Sequence, residues 1–211
     1  SDPSQFMREI ILISFLGPDQ PNQFTRLMQV LSAHSLQILD VGQAVIHNQL
    51  TLGIVVSSDD QTATALAMKE ILILAHDIGL TVRFKPISAA EYEQWVKEGG
   101  RTRYIVTALA PELNASHLQA VTQIVSSQGF NIETVTRLSG RPELDGSNTG
   151  PKRACVQFGL KGQMLDAAAM RAACLSLSNN LNVDVAVQED NAYRRNRCLL
   201  YTSPSPRDKR Q

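Results

Sequence analysis

The sequence predicts an α+β protein built from two ferredoxin-like βαββαβ units in tandem. Three observations predict it. Short runs with continuous or alternating apolar character are interleaved with runs whose apolar residues recur every three and four positions. Their order is strand, helix, strand, strand, helix, strand. The same order then runs a second time, with Leu36-Gln37-Ile38 lying against Phe130-Asn131-Ile132 and Val30-Leu31 against Ile124-Val125. A repeat this long is a duplicated domain, not a solenoid.

Each element has its own warrant. Arg8 to Leu16 is nearly all apolar, as a buried central strand requires. Phe24, Leu27, Met28 and Leu31 make one stripe of an amphipathic helix. Ile38 to His47 and Leu50 to Ser57 are β-rich and separated by Asn48-Gln49, the spacing of a hairpin. Ala67, Ile71, Leu74, Ala75 and Ile78 stripe a second helix, with Gly79 suited to its C-terminal cap. Leu80, Val82 and Phe84 alternate with Thr81, Arg83 and Lys85, a strand with one wet face. In the second copy, Arg103 to Leu109 is a strand, and Leu118, Val121 and Val125 stripe a helix closed by Gly129. Strands follow at Asn131 to Ser139 and Lys152 to Leu160, joined by the long polar loop GRPELDGSNTGP. Leu165, Ala168, Ala169 and Ala172 stripe the next helix, and Val183, Val185 and Val187 alternate in the last strand. The expected organisation is a tail over 1–6, a first unit over 7–88, a linker over 89–100, a second unit over 101–190 and a further tail over 191–211. The linker SAAEYEQWVKEGG reads as a short amphiphilic helix, its Trp95 as an apolar contact between the units.

The bulk properties exclude several classes. At 211 residues each unit can bury its own core. The 20 Lys and Arg balance the 20 Asp and Glu, so no global field draws the chain to nucleic acid or to an anionic membrane. The apolar run Ile10 to Leu16 is too short to span a bilayer. Cys155, Cys174 and Cys198 are odd in number and unpaired in spacing, which points to reduced thiols in a cytoplasmic protein. His34, His47, His76 and His117 share no metal-ligand spacing, so packed or solvated histidines are the expectation. Neither Cys155 nor Cys174 has a base partner in view; the first reads as facing the wetter side of its strand, the second as core. Tyr193-Arg194-Arg195-Asn196-Arg197 reads as a solvated connector, and the aliphatic strands lack the aromatic platform on which sheets of this type stack RNA bases.

The first strand–helix junction carries the one candidate site. It reads Gly17-Pro18-Asp19-Gln20-Pro21-Asn22. A helix start offers amides without intrahelical partners, partially positive and open to a carboxylate or phosphate. Gly17 permits close backbone approach, Pro21 suits a first helical turn, Asp19 can cap or accept from an ammonium, and Asn22 offers a donor and an acceptor. Together these groups suit a zwitterion. The bland alternative is a tight turn with a capping acid. The matching loop of the second copy, Ala110-Pro111-Glu112-Leu113-Asn114, has no glycine. Asn114 there reads as an ordinary N-cap, so Glu112 and Asn114 stand only as a possible second ligand loop.

A βαββαβ unit with a G-x-D-x-P loop before its first helix resembles an ACT domain, the amino-acid-sensing module of metabolic enzymes. The segments IILISFLGPDQP, LQILDVGQAVIHNQLTLGIVV, GFNIETVTRLSG and EDNAYRRNR resemble, in that order, the N-terminal tandem ACT region of long-form bacterial phosphoserine phosphatases. The resemblance covers about residues 7 to 197, although many ACT domains carry glycine where this chain has Asn22. It implies a regulatory module that binds a free amino acid, L-serine above all, and forms a homodimer through its ACT units. The family's chemistry resides in a haloacid-dehalogenase-type domain, where a D-x-D-x-T aspartate attacks phosphorus beside Mg²⁺. No such motif occurs here: after Arg197 the chain reads CLLYTSPSPRDKRQ. The expectation is therefore no catalytic residue, no metal and no cofactor in this chain as written, with Mg²⁺ belonging to a catalytic domain of a longer parent. The alternatives are a module that only dimerises, or an incomplete record of an active Mg²⁺-dependent phosphatase.

Overall fold

The computed structural model describes residues 8–99, 102–144 and 153–190. They form two compact units that meet in sequence at Gly99–Gly100. Unit 1 runs β1 (Glu9–Pro18), α1 (Gln23–Ala33), β2 (Gln37–Ile46), β3 (Gln49–Ser58), α2 (Gln61–Asp77), β4 (Thr81–Ile87), then α3 (Ala89–Gly99). Unit 2 runs β5 (Arg103–Ala110), α4 (Ala115–Ser127), β6 (Asn131–Arg137), β7 (Ala154–Lys161), α5 (Ala167–Leu181), β8 (Asp184–Glu189). Both sheets are four-stranded and antiparallel, ordered β2-β3-β1-β4 and β6-β7-β5-β8. The predicted α+β duplication is therefore present in element order and in topology.

Period-two burial builds each core. In unit 1, Ile11, Ile13 and Phe15 of β1 pack with Leu52, Ile54 and Val56 of β3 beneath Leu27 and Leu31 of α1 and Ala67, Ile71 and Ala75 of α2. In unit 2, Val106 and Ala108 pack with Val156, Phe158 and Leu160 beneath Val121 and Val125 of α4 and Met170 and Cys174 of α5. Even an irregularity repeats. The β2–β3 register shifts between Ile38 and Asp40, and the β6–β7 register between Ile132 and Thr134. The bulged residues are Leu39 and Glu133, equivalent in the sequence alignment of the two copies.

Three details differ from the sequence reading. The β2–β3 turn is His47-Asn48, one residue earlier than Asn48-Gln49, because both have positive φ (47° and 62°), as a two-residue type I′ hairpin demands. β1 runs on through Gly17 and Pro18, which pair with Leu50 and Gln49. The α5 stripe falls on Met170 and Cys174, whereas Leu165, Ala168, Ala169 and Ala172 are exposed. An alanine-rich helix gives the apolar period little contrast, and Asp166, accepting from the Ala169 N–H, starts the helix after Leu165. In α3, Trp95 lies against Tyr92, ring centroids 5.7 Å apart.

Candidate functional site

The corner between β1 and α1 is assembled from three chain segments. β1 delivers Gly17 and Pro18; the Asp19 N–H then donates to the Asn48 carbonyl of the β2–β3 turn at 2.8 Å. On the other side, the backbone after α2 closes against Gly17. A Cβ built on that residue would lie 2.7 Å from the Gly79 carbonyl oxygen and 2.9 Å from a Leu80 methyl. The close approach that glycine permits here is thus to the protein's own backbone, where the sequence suggested a ligand.

Gln23 is the residue that sequence reasoning missed. It is only 3% exposed. Its Nε2 donates to the Pro18 carbonyl at 3.0 Å and to the Ile78 carbonyl at 3.4 Å, and its Oε1 accepts from the Gln20 N–H at 2.9 Å. One side chain thereby ties the end of β1, the loop and the end of α2 together. A signal was available: Gln23 falls four residues before Leu27 and eight before Leu31, on the buried stripe of α1.

Outside this tie the corner is open. Pro18, Asp19, Gln20, Pro21 and Asn22 are exposed and Gly17 is half-buried. Helix α1 begins at Gln23, so Pro21 lies in the preceding turn and not in the first helical turn. The N-cap is Asn22, in the left-handed region (φ 66°, ψ 2°), and no side chain caps the helix; Asp19 does not do so. Every other described helix has a side chain at its start. Asp60 accepts from Thr62 and Ala63, Ser88 from Glu91, Asn114 from His117, and Asp166 from Ala169. The first turn of α1 therefore presents its amides with no side-chain acceptor among the described residues, next to the exposed Asp19 carboxylate.

The second loop is arranged differently. Asn114 Oδ1 accepts from the His117 N–H at 3.0 Å and from the Ser116 hydroxyl at 2.6 Å, and the His117 ring stands 3.0 Å from the Glu112 carbonyl. Glu112 and Asn114 are brought together through His117, but Asn114 already fills the start of α4. Among the described residues no three His, Cys, Asp or Glu side chains are grouped to hold a metal ion. Cys174 is buried and Cys155 half-buried; Cys198 and the 193–197 cluster lie outside the described residues. No described helix is long and apolar enough to cross a membrane.

Comparison with known proteins agrees with this fold. Residues 9–85 match the ACT domain model. Phosphoserine phosphatase SerB2 of Mycobacterium tuberculosis is 29% identical over 194 residues, covering 90% of this chain and 44% of that protein. A phosphoserine phosphatase of Streptomyces coelicolor is 25% identical over 196 residues, covering 90% of this chain and 42% of that protein. The chain thus spans less than half the length of these relatives. A Galdieria sulphuraria protein of unknown function shares the fold at a TM-score of 0.68 with 14% identity, covering 87% of this chain and 99% of that one. A candidate glycine cleavage system transcriptional repressor does so at 0.60 with 12% identity, covering 87% and 98%.

Proposed function

We propose, from the premise that residues 9–85 are an ACT domain and that unit 2 repeats its fold, that the chain is the regulatory, amino-acid-binding part of a phosphoserine phosphatase. The ligand is L-serine, held at Gly17–Asn22. The observation that carries this reading is the uncapped start of α1 beside an exposed acid. The ligand carboxylate takes the place of the missing cap at the first-turn amides. Its ammonium takes Asp19 and the loop carbonyls, and Asn22 is free to reach the serine hydroxyl. Binding at a corner that joins β1, the β2–β3 turn and the end of α2 biases one arrangement of the module, and in a longer parent that preference passes to an Mg²⁺-dependent hydrolytic domain. The chain as written performs no hydrolysis itself.

A titration of the chain with L-serine, read by calorimetry and by the backbone amide signals of residues 22–25, tests this. Saturable heat with shifts at those amides is expected, and Asp19→Ala should weaken binding by roughly tenfold or more, the scale of a charged hydrogen bond. Absence of heat and of shifts at millimolar serine overturns it.

A second reading, dimerisation without a ligand, has its own observation. β2 is an edge strand of ten residues whose Ile38, Val41 and Val45 are exposed. A second copy pairing there would cover them. Sedimentation separates the readings: a dimer dissociated by Val41→Lys but indifferent to serine would leave only the second.

A further inference from the structure

Unit 2 contains a cavity of about 510 Å³ between α5 and β8. Met164, Met170, Cys174 and Val187 line it with apolar surface, and the exposed Arg171 and Asp184 line it as well. Its size falls in the range of small-molecule sites.

The repeat shows where the space comes from. Ile13 pairs with Phe84 in unit 1 and Val106 with Val187 in unit 2, and the left-handed Gly79 and Asn182 that follow α2 and α5 stand five residues before Phe84 and Val187, which together fix the correspondence. Ala67 and Ile71 are buried on α2 as Met170 and Cys174 are on α5. Phe84 is therefore matched by Val187, Ile71 by Cys174, Phe15 by Ala108 and Ile13 by Val106. Around the cavity itself, Val187 and Cys174 are smaller than Phe84 and Ile71, whereas Met170 and Tyr104 are larger than Ala67 and Ile11. A well-packed interior leaves few voids, so a space of this size beside Val187 and Cys174 calls for an occupant. Methionine suits a wall that adapts to one.

The polar groups state what the occupant is. Arg171, on the helix, has no hydrogen bond or ion pair to a described residue. Across from the helix, Asp184 on the strand accepts from the Ser178 hydroxyl through one oxygen at 2.8 Å, leaving the other for a donor. Glu189, also in the lining, is already engaged. A lone anion would meet two acids and a lone cation would meet Arg171; a molecule carrying both charges meets complements. We infer that this cavity binds an amphipathic zwitterion with an apolar side chain of branched or aromatic size. The side chain lies among Met170, Cys174 and Val187, the carboxylate on Arg171 and the ammonium on Asp184. The inference rests on unit 2 alone and stands or falls independently of the loop in unit 1.

The test is a titration of the chain, labelled at its methionine methyls, with L-phenylalanine, L-leucine, 3-phenylpropionate and L-serine. Saturable shifts of Met164 and Met170 with phenylalanine or leucine are expected, with Met28 and Met68 of unit 1 unmoved. 3-Phenylpropionate, which lacks the ammonium, should bind about tenfold more weakly, as one lost charged contact dictates. Val187→Phe, which restores the side chain of unit 1, should abolish the shifts, and Arg171→Gln should weaken binding about tenfold. Unchanged backbone amide signals of β6 and β7 show that unit 2 of a variant is folded, and Arg171→Gln decides alone if Val187→Phe is not. Unmoved Met164 and Met170 with every ligand, binding undiminished in the folded variants, or equal affinity for 3-phenylpropionate would overturn the assignment.

Discussion

Gly17 and Gly79 meet backbone to backbone, so closely that a Cβ on Gly17 would stand 2.7 Å from the Gly79 carbonyl oxygen. Carbonyl oxygens held by a helix end cannot step aside as a flexible side chain does. Gly17→Ala should therefore cost about 2 kcal/mol through overpacking, read as a fall in denaturation midpoint in urea at unchanged slope. Gly42→Ala is the control: nothing lies within 4 Å of that Cβ, and its effect should stay within about 0.5 kcal/mol. Equal effects at the two sites would mean that the contact with Gly79 carries no weight.

Gln23 predicts a second loss of stability, of different origin. Gln23→Ala removes the donor from the Pro18 and Ile78 carbonyls and the acceptor from the Gln20 N–H in a place that is nearly closed to water. Unsatisfied polar groups and a small cavity together should cost about 2 to 4 kcal/mol, measured by thermal or urea unfolding. A loss below about 0.5 kcal/mol would show that water replaces the amide without penalty.

Much of this architecture was legible in the residues, and the exceptions have physical causes. That β1, β3, β5 and β7 are strands follows from their runs of apolar and β-branched residues, which a sequence displays directly. The bulge is only half visible. The backbone irregularity is the same at Leu39 and Glu133, yet one residue is apolar and the other an acid paired with Arg103 and Lys161. A shared backbone shape need not share side-chain chemistry. In the candidate site, the exposed loop and the ordinary cap at Asn114 followed from local residue types. The roles of Gly17 and Gln23 did not, because both are set by Gly79 and Ile78, some sixty residues away in the chain. The α5 stripe failed for a third reason, since alanine marks neither face of a helix.

Asn22 supplies a prediction at the site itself. Its left-handed conformation (φ 66°) suits asparagine and glycine and opposes β-branched residues. Asn22→Gly should change stability by a few tenths of a kcal/mol, whereas Asn22→Val should cost about 1 to 2 kcal/mol. Serine titrations on the same proteins separate backbone from side chain. Affinity retained in Asn22→Gly would assign the loop's contribution to its amides; affinity lost at unchanged stability would assign it to the Asn22 side chain.

The start of α3 gives a dependence on pH whose sign is fixed by its hydrogen bonds. The Ser88 N–H donates to Glu91 Oε2 at 2.8 Å, and the Glu91 N–H donates to the Ser88 hydroxyl at 3.1 Å, a reciprocal cap. The Ser88 N–H foremost, then the Ser88 hydroxyl, and lastly the charge of Lys85 hold the Glu91 carboxyl below its ordinary value of 4.5. Because the folded value lies below the unfolded one, the cap stabilises the helix above the ordinary carboxylate range. That contribution is lost as pH falls through the folded value. A pH titration of the Glu91 carboxyl signal should give a midpoint below 4.5, with the Ser88 amide signal following the same curve. Glu91→Gln should remove that titration from the Ser88 amide, and Ser88→Ala should return the midpoint toward 4.5. A midpoint at the ordinary value in the unaltered chain would mean that the cap is not formed in solution.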